Sequence, residues 1–175
     1  MIEQLNRGSQ EALRRIYTQY RTDLYTMAVS VLGDTSLAED CLQDVFVHLA
    51  RKAGTLTIRG NLKGYLISAV INRARDQLRR SARQAGCSVD DLPLATDHGD
   101  PEVASQLGEQ GQALVQALTQ LPQEQREAFV LHAQMDMPFR QIGTLQKVSG
   151  KTAFSRYRYA ISKLQQLLQQ EGVQP

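Results

Sequence analysis

LPQEQREAFVLHAQMDMPFRQIGTLQKVSGKTAFSRYRYAISKL, residues 121–164, divides into three short helices joined by two tight turns. Pro122 suits the first turn of a helix, where its missing N–H would be unpaired anyway, and Leu121, Ala128, Phe129, Leu131 and His132 follow at near-helical spacing. This helix is expected to stop near Asp136. Pro138 is placed to open a second helix carrying Phe139, Ile142 and Leu145, and Ser149 to cap a third by accepting an orphan backbone N–H. Such a sequence of helices is a helix-turn-helix module. At about 100° per residue, Ala153, Phe154, Tyr157, Ala160, Ile161, Leu164, Leu167 and Leu168 share the core arc of the third helix. Thr152, Ser155, Arg156, Arg158, Tyr159, Ser162 and Lys163 share the other. That second arc fits a recognition face, with side chains near the helix start reaching base edges and flanking cations reaching phosphates. It also fits an ordinary solvated face, and only the preceding scaffold helix and turn tilt the reading toward DNA.

Outward from this stretch, charge is unevenly distributed. The whole chain of 175 residues carries a formal net charge of +2, but residues 1–83 carry +5, residues 84–120 carry −6 and residues 121–175 carry +3. Basic blocks favour a polyanion through counterion release, and the acidic connector between them would be repelled by it.

Residues 9–32 place Leu13, Ile16, Tyr17, Tyr20, Leu24, Met27, Ala28 and Val31 at intervals of three and four, a long amphipathic helix with a candidate break at Arg21–Thr22. Gly33-Asp34 ends it. Ser36 through Glu39 then has the form of a capping box opening a helix over 37–52. Leu37, Ala38, Cys41, Leu42, Val45, Phe46 and Leu49 form its buried arc, with His48 at the edge. The opposite arc holds Glu39, Asp40, Gln43, Asp44 and Arg51, with Val47 stranded among them; an aliphatic residue on an acidic face fits a protein-docking surface, and also fits a single exposed valine of no consequence. Residues 53–60 form a glycine-bracketed loop. Asn61 starts a helix toward Arg83, with Leu66, Ile67, Val70, Ile71, Ala74 and Leu78 on one half of the wheel. Arg73, Arg75, Asp76, Arg79, Arg80 and Arg83 take the other. Five arginines within about 160° exceed what solubility needs; pairing of Asp76 with Arg80 would neutralise one, and nucleic-acid contact is the better reading. After Arg83 the periodicity lapses until Leu114, through a Gly-, Pro- and Asp-rich flexible connector.

The two cysteines, Cys41 and Cys87, are too few for a disulfide framework and lack metal spacing, and Cys41 reads as a buried thiol. No stretch approaches the ~20 apolar residues of a membrane span, and the N-terminus lacks a cleavable-leader pattern. A cytoplasmic, reduced protein with no membrane insertion is expected. His48, His98 and His132 are scattered, and there is no phosphate-cradling Gly-rich loop, nucleophile elbow or paired His ligands. No enzyme, no cofactor and no metal site is expected, and His132 reads as a core or boundary residue.

These residues carry a resemblance. The run 38–46, AEDCLQDVF, resembles the signature helix of bacterial RNA polymerase sigma factors of the extracytoplasmic-function group in the sigma-70 family. The run 64–76, GYLISAVINRARD, followed by Arg79-Arg80, is similar to the helix that comes after it. Leu121-Pro122 through Leu131, Ile142 ten residues before Thr152, and Ser155-Arg156 resemble the family's second conserved domain. The match covers about 10–80 and 113–168 in the expected order. It implies an all-α protein of two small helical domains joined by a flexible acidic linker: residues 1–83 for core polymerase binding and minus-ten recognition and melting, 84–112 as the linker, and 113–175 as a helix-turn-helix for minus-thirty-five recognition.

The resemblance also implies roles. Asp40, Gln43, Asp44 and Val47 would dock on core RNA polymerase. Asn72, with Leu56 or Ile58 lining a pocket, would take an unstacked base of the minus-ten strand beside Tyr65 and Asp76, while Arg73, Arg79 and Arg80 would hold the backbone of that strand. Lys151, Thr152, Ser155, Arg156 and Arg158 would contact the minus-thirty-five duplex. The connector would thread near the RNA exit path, and an anti-sigma factor is an expected further partner; with few residues after Leu168, signal input is expected from such a partner. Four departures stand out. Tyr65 replaces the usual Trp; Lys147 occupies a turn position where Gly is usual; Gln146 and Phe154 depart from the common apolar and basic choices. A Lys at positive φ costs about 1 kcal/mol, so a rebuilt turn or a changed helix angle is expected. Two other readings remain at the level of sequence: a free-standing helix-turn-helix regulator, and a sigma-like protein that only sequesters an anti-sigma factor.

Overall fold

The computed structural model describes residues 2–55, 58, 61–92, 94 and 101–170. Among them are eight helices and no strand, the all-α architecture expected. A short helix α1 (Ile2–Asn6), which the sequence reading did not anticipate, sets Leu5 into the core. Ser9 then caps α2 (Gln10–Leu32) by accepting the Ala12 N–H at 3.2 Å, and Gly33 closes it at φ 70° with its N–H on the Val29 carbonyl. This helix is unbroken at Arg21–Thr22; neither residue is a helix breaker, and the Arg21 guanidinium lies over the Tyr17 ring, 5.9 Å from its centroid.

For α3 (Thr35–Arg51) the cap is Asp34, whose carboxylate accepts the Leu37 N–H at 2.8 Å, rather than Ser36. A carboxylate at this place also meets the positive end of the helix dipole, so the helix starts two residues earlier than the capping-box pattern suggested. Asn61 caps α4 (Leu62–Ala85) by accepting the Gly64 N–H at 2.6 Å, as expected. The expected inward stripes meet here: Ile16, Leu24 and Met27 of α2, Cys41, Leu42 and Leu49 of α3, and Leu66, Val70, Ile71 and Leu78 of α4 are all buried. Each such aliphatic side chain contributes about 1.5–3 kcal/mol through burial. Leu37 sits at the rim, half-buried.

The second half begins with α5 (Pro101–Thr119), interrupted at Gly108, where φ 64° and ψ 174° leave the helical region. Residues 101–112, within the expected connector, therefore belong to helix. Next come α6 (Gln123–Ala133), α7 (Phe139–Gln146) and α8 (Gly150–Gln170). Pro122 supplies no side-chain cap to α6; Asp90 does it from outside, its Oδ1 accepting the Gln123 N–H at 2.9 Å. Ser149 caps α8 as expected, accepting the Thr152 N–H at 3.0 Å.

The turn between α7 and α8 is not rebuilt. Lys147 itself adopts the left-handed conformation, φ 57° and ψ 38°, and the Val148 N–H reaches back to the Gly143 carbonyl at 2.8 Å, the closing bond of a left-handed helix end. The close approach depends on Gly143, where a Cβ would stand 2.8 Å from the Val148 carbonyl oxygen and 2.9 Å from the Gly150 nitrogen. Phe154, assigned to the core arc, is 43% exposed and packs edge-on to Phe139, ring centroids 5.1 Å apart. His132 is a boundary residue, stacked on Phe139, with Nδ1 3.0 Å from the Met137 carbonyl oxygen.

The halves share one continuous apolar core, α2 lying against both α5 and α6. The Gln134 Nε2 donates to Ser30 Oγ at 2.9 Å across the junction. A buried ion pair, Arg75 with Glu127, joins α4 to α6.

Candidate nucleic-acid and polymerase interface

On α3, Asp40, Gln43, Asp44 and Val47 follow one another at helical spacing and form a single exposed stripe. Val47 is 42% exposed, as its place on the wheel suggested. Beside it runs a groove of about 580 Å³ between α2 and α3, lined among others by Tyr17, Arg21, Asp40, Gln43, Phe46 and Val47. Tyr17 is 40% exposed and meets Phe46 edge-on, centroids 4.9 Å apart. Neither Tyr17 nor Arg21 was singled out from sequence for this face. The 3.6-residue period assigns Tyr17 to the apolar stripe, and only the packing of α3 shows that it lies at the edge of that stripe.

A second cavity, of about 480 Å³, separates α3 from α4 and is lined by Val47, His48, Arg51, Tyr65, Asn72, Arg73 and Asp76, with others. It brings together Tyr65, Asn72, Arg73 and Asp76 from the expected strand-reading set and places them next to the exposed α3 stripe. Ile58 instead packs half-buried against the core, and Leu56 lies outside the described residues. Arg73 pairs with Asp44, so these two candidates engage each other. Arg79 and Arg80 are exposed. Asp76 lies 3.8 Å from Arg79, the i+3 neighbour, in place of the i+4 pair with Arg80; exposed on both sides, this contact contributes little to stability.

Arg75 departs from the other arginines of its row. Its side chain is 15% exposed, its Nε donates to Glu127 Oε1 at 2.9 Å, its Nη2 meets the other carboxylate oxygen, and its Nη1 donates to the Leu145 carbonyl at 3.0 Å. Burial works against the guanidinium charge, but the hydrogen bond and charge of Glu127 outweigh it, leaving its pKa above the ordinary arginine value. Arg126, buried without a close ion pair among the described residues, shows the opposite balance: burial brings its pKa down to about 10. The thiol of Cys41 is buried as expected, and desolvation pushes its pKa up to about 12, so it is an inert core group.

At the start of α8, Lys151, Thr152 and Arg158 are exposed and Ser155 half-exposed, its Oγ donating to the Lys151 carbonyl at 3.1 Å. Arg156 is drawn inward: Nη1 donates to Gln146 Oε1 at 2.8 Å, Nη2 pairs with the Glu124 carboxylate, and the side chain is 19% exposed. Of the five duplex candidates it alone is engaged by other side chains of α6 and α7. Tyr159, 65% exposed, extends the face. Among the described residues no group of three or more His, Cys, Asp and Glu is placed to hold a metal ion, and no helix is long and apolar enough to cross a membrane.

Comparison with known proteins finds matches to both helical halves. Sigma-70 region 2 matches residues 16–84, and Sigma-70 region 4 matches residues 111–164. The RNA polymerase sigma factor CarQ of Myxococcus xanthus is 28% identical over 172 residues, covering 95% of both chains. The extracytoplasmic-function sigma factor SigM of Mycobacterium tuberculosis is 26% identical over 162 residues, covering 92% of this chain and 79% of its own. Among solved structures, the sigma factor RpoE of Bartonella quintana, in complex with the anti-sigma factor NepR, superposes with a TM-score of 0.72 at 22% identity, covering 91% of this chain and 98% of that one. CnrH, in complex with the cytosolic domain of CnrY, gives a TM-score of 0.67 at 22% identity over 96% and 94%. Because the matches run through both helical halves in order, rather than through the helix-turn-helix alone, the chain belongs to the extracytoplasmic-function group of the sigma-70 family, the factors that bind core RNA polymerase and direct promoter-specific transcription initiation.

Proposed function

We propose that the two halves divide the work by face. The α3 stripe of Asp40, Gln43, Asp44 and Val47, with Tyr17 and Arg21 of α2 across the groove, takes core polymerase. Tyr65, Asn72, Arg73 and Asp76 around the α3–α4 cavity, with Arg79 and Arg80 beside it, take the melted minus-ten strand. Lys151, Thr152, Ser155 and Arg158 enter the minus-thirty-five major groove, with Arg156 as a support of the helix start unless Glu124 and Gln146 release it. Melting needs a pocket to offset the few kcal/mol of unstacking a base, and duplex reading needs only base-edge hydrogen bonds and phosphate contacts. The chain carries no reaction of its own in this reading and works in the cytoplasm, where polymerase and DNA are. By analogy with RpoE in complex with the anti-sigma factor NepR, an anti-sigma protein is a further partner of this chain.

The observation that carries the docking assignment is Val47, exposed beside acidic neighbours on α3 and lining a groove of mixed polar and apolar side chains. Reconstitution with bacterial core RNA polymerase and run-off transcription from genomic fragments tests it. The variant Asp40→Arg with Val47→Lys leaves the Asp44–Arg73 pair intact and is expected to lower initiation at least tenfold, one charge reversal and one buried new charge at a desolvated contact costing more than about 1.4 kcal/mol. Unchanged initiation by this variant would move the docking face elsewhere, and an absence of specific initiation by the natural protein would sink the assignment of the halves.

A further inference from the structure

The arginine row of α4 is exposed at Arg79 and Arg80 but closed at Arg75, and what closes it comes from the other DNA-reading half. The Glu127 carboxylate, 1% exposed, takes two hydrogen bonds from Arg75 and one from Gln123 Nε2 at 2.7 Å, with Gln146 Nε2 at 3.4 Å. Gln146 in turn accepts from Arg156 of α8. One line of hydrogen bonds thus joins the two helices assigned to DNA, through a cleft of about 410 Å³ that Asn72, Arg79, Lys147 and Arg156 also line.

Function and this closed cleft are incompatible on size alone. The minus-ten and minus-thirty-five elements lie about 25 base pairs apart, about 85 Å at about 3.4 Å per base pair. A compact chain of this length has a radius of gyration near 16 Å and is about 40 Å across. Both faces cannot engage a promoter until the halves part. Parting takes Glu127 from Arg75 and leaves a bare guanidinium one turn from both Asn72 and Arg79. Its planar fork pairs with two phosphate oxygens as it pairs with two carboxylate oxygens. We infer that Arg75 is a further phosphate-binding residue for the minus-ten strand, and that the Glu127 carboxylate occupies its phosphate site while the two halves are closed. This rests on the strand-reading role of α4.

Two arms test it on the full chain. In the reconstituted holoenzyme, on a promoter fragment recovered by run-off transcription, Arg75→Gln should weaken promoter binding about fivefold and reduce the salt slope by about 0.7, one single-strand phosphate contact. Arg75→Lys should recover the slope, which a purely structural arginine would not require, and Glu127→Gln should bind as the natural holoenzyme does. In the free chain, with an oligo-dT 20-mer as probe, Glu127→Gln should bind about threefold tighter, and the double variant with Arg75→Gln should lose that gain. An unchanged salt slope for Arg75→Gln in the holoenzyme, or no tightening by Glu127→Gln in the free chain, overturns the inference. The free-chain arm needs no promoter, so a failure of the sigma assignment would show separately as absent initiation.

Discussion

Lys147 stands at φ 57° in the turn that sets α8 against α7, the one place where a family departure visible in the sequence met a backbone constraint. The sequence reading saw the strain and expected a rebuilt turn or a changed helix angle; the turn is not rebuilt and Lys147 keeps the strain. The neighbouring contacts explain why. Val148 must donate to Gly143, and Gly143 has no room for a Cβ, so the backbone path is held from both ends. Left-handed strain in a residue with a Cβ is about 1–2 kcal/mol, and the freedom that glycine gives the unfolded chain offsets about 0.4–1 of it. Lys147→Gly is therefore expected to raise stability by about 0.5–1 kcal/mol, read from the midpoint of urea unfolding followed by circular dichroism. A lower midpoint would mean that the lysine side chain contributes more than its backbone costs. At this scale Val47, Cys41 and His132 were legible, because each follows from its own helix wheel. Arg75, Arg156 and Phe154 were not, since what covers or uncovers them comes from another helix.

Among the elements, helix starts were legible where a capping side chain precedes a periodic run, as at Asn61 and Ser149. The start of α3 misled the reading because two capping residues lie two positions apart, and the S-x-x-E pattern favoured the wrong one. Asp34→Ala should cost about 1 kcal/mol, while Ser36→Ala, in the exposed first turn, should stay within about 0.5 kcal/mol of the natural protein in the same unfolding measurement. Equal costs would show Ser36 sharing the cap. For α6 the reason is different: Arg126 and Glu127 are both buried, so the helix is covered on more than one side and its polar run 123–127 no longer marks a solvent face. A five-residue helix such as α1 carries too few turns for periodicity to register.

For the whole molecule, the charge blocks announced two basic halves and an acidic middle, and both halves are helical as read. Their mutual packing left no trace in the sequence, because Gln134 with Ser30 and Arg75 with Glu127 are 104 and 52 residues apart. The chain between Ala85, where α4 ends, and Pro101, where α5 begins, is 15 residues long. Fully drawn out it spans at most about 50 Å. On the proposed division of work, that length makes the connector a ruler: once the halves part, it limits which spacings between promoter elements a single molecule can bridge. Each residue removed shortens the reach by about 3.5 Å, close to the rise of one base pair. Deleting five residues within 94–100 should shift the preferred spacer to shorter lengths in a promoter series stepped one base pair at a time, scored by run-off transcription. An unmoved optimum would assign the spacing to polymerase alone. Insertions should relax the upper limit without lengthening the preferred spacer, because slack chain permits a wider gap but does not demand one.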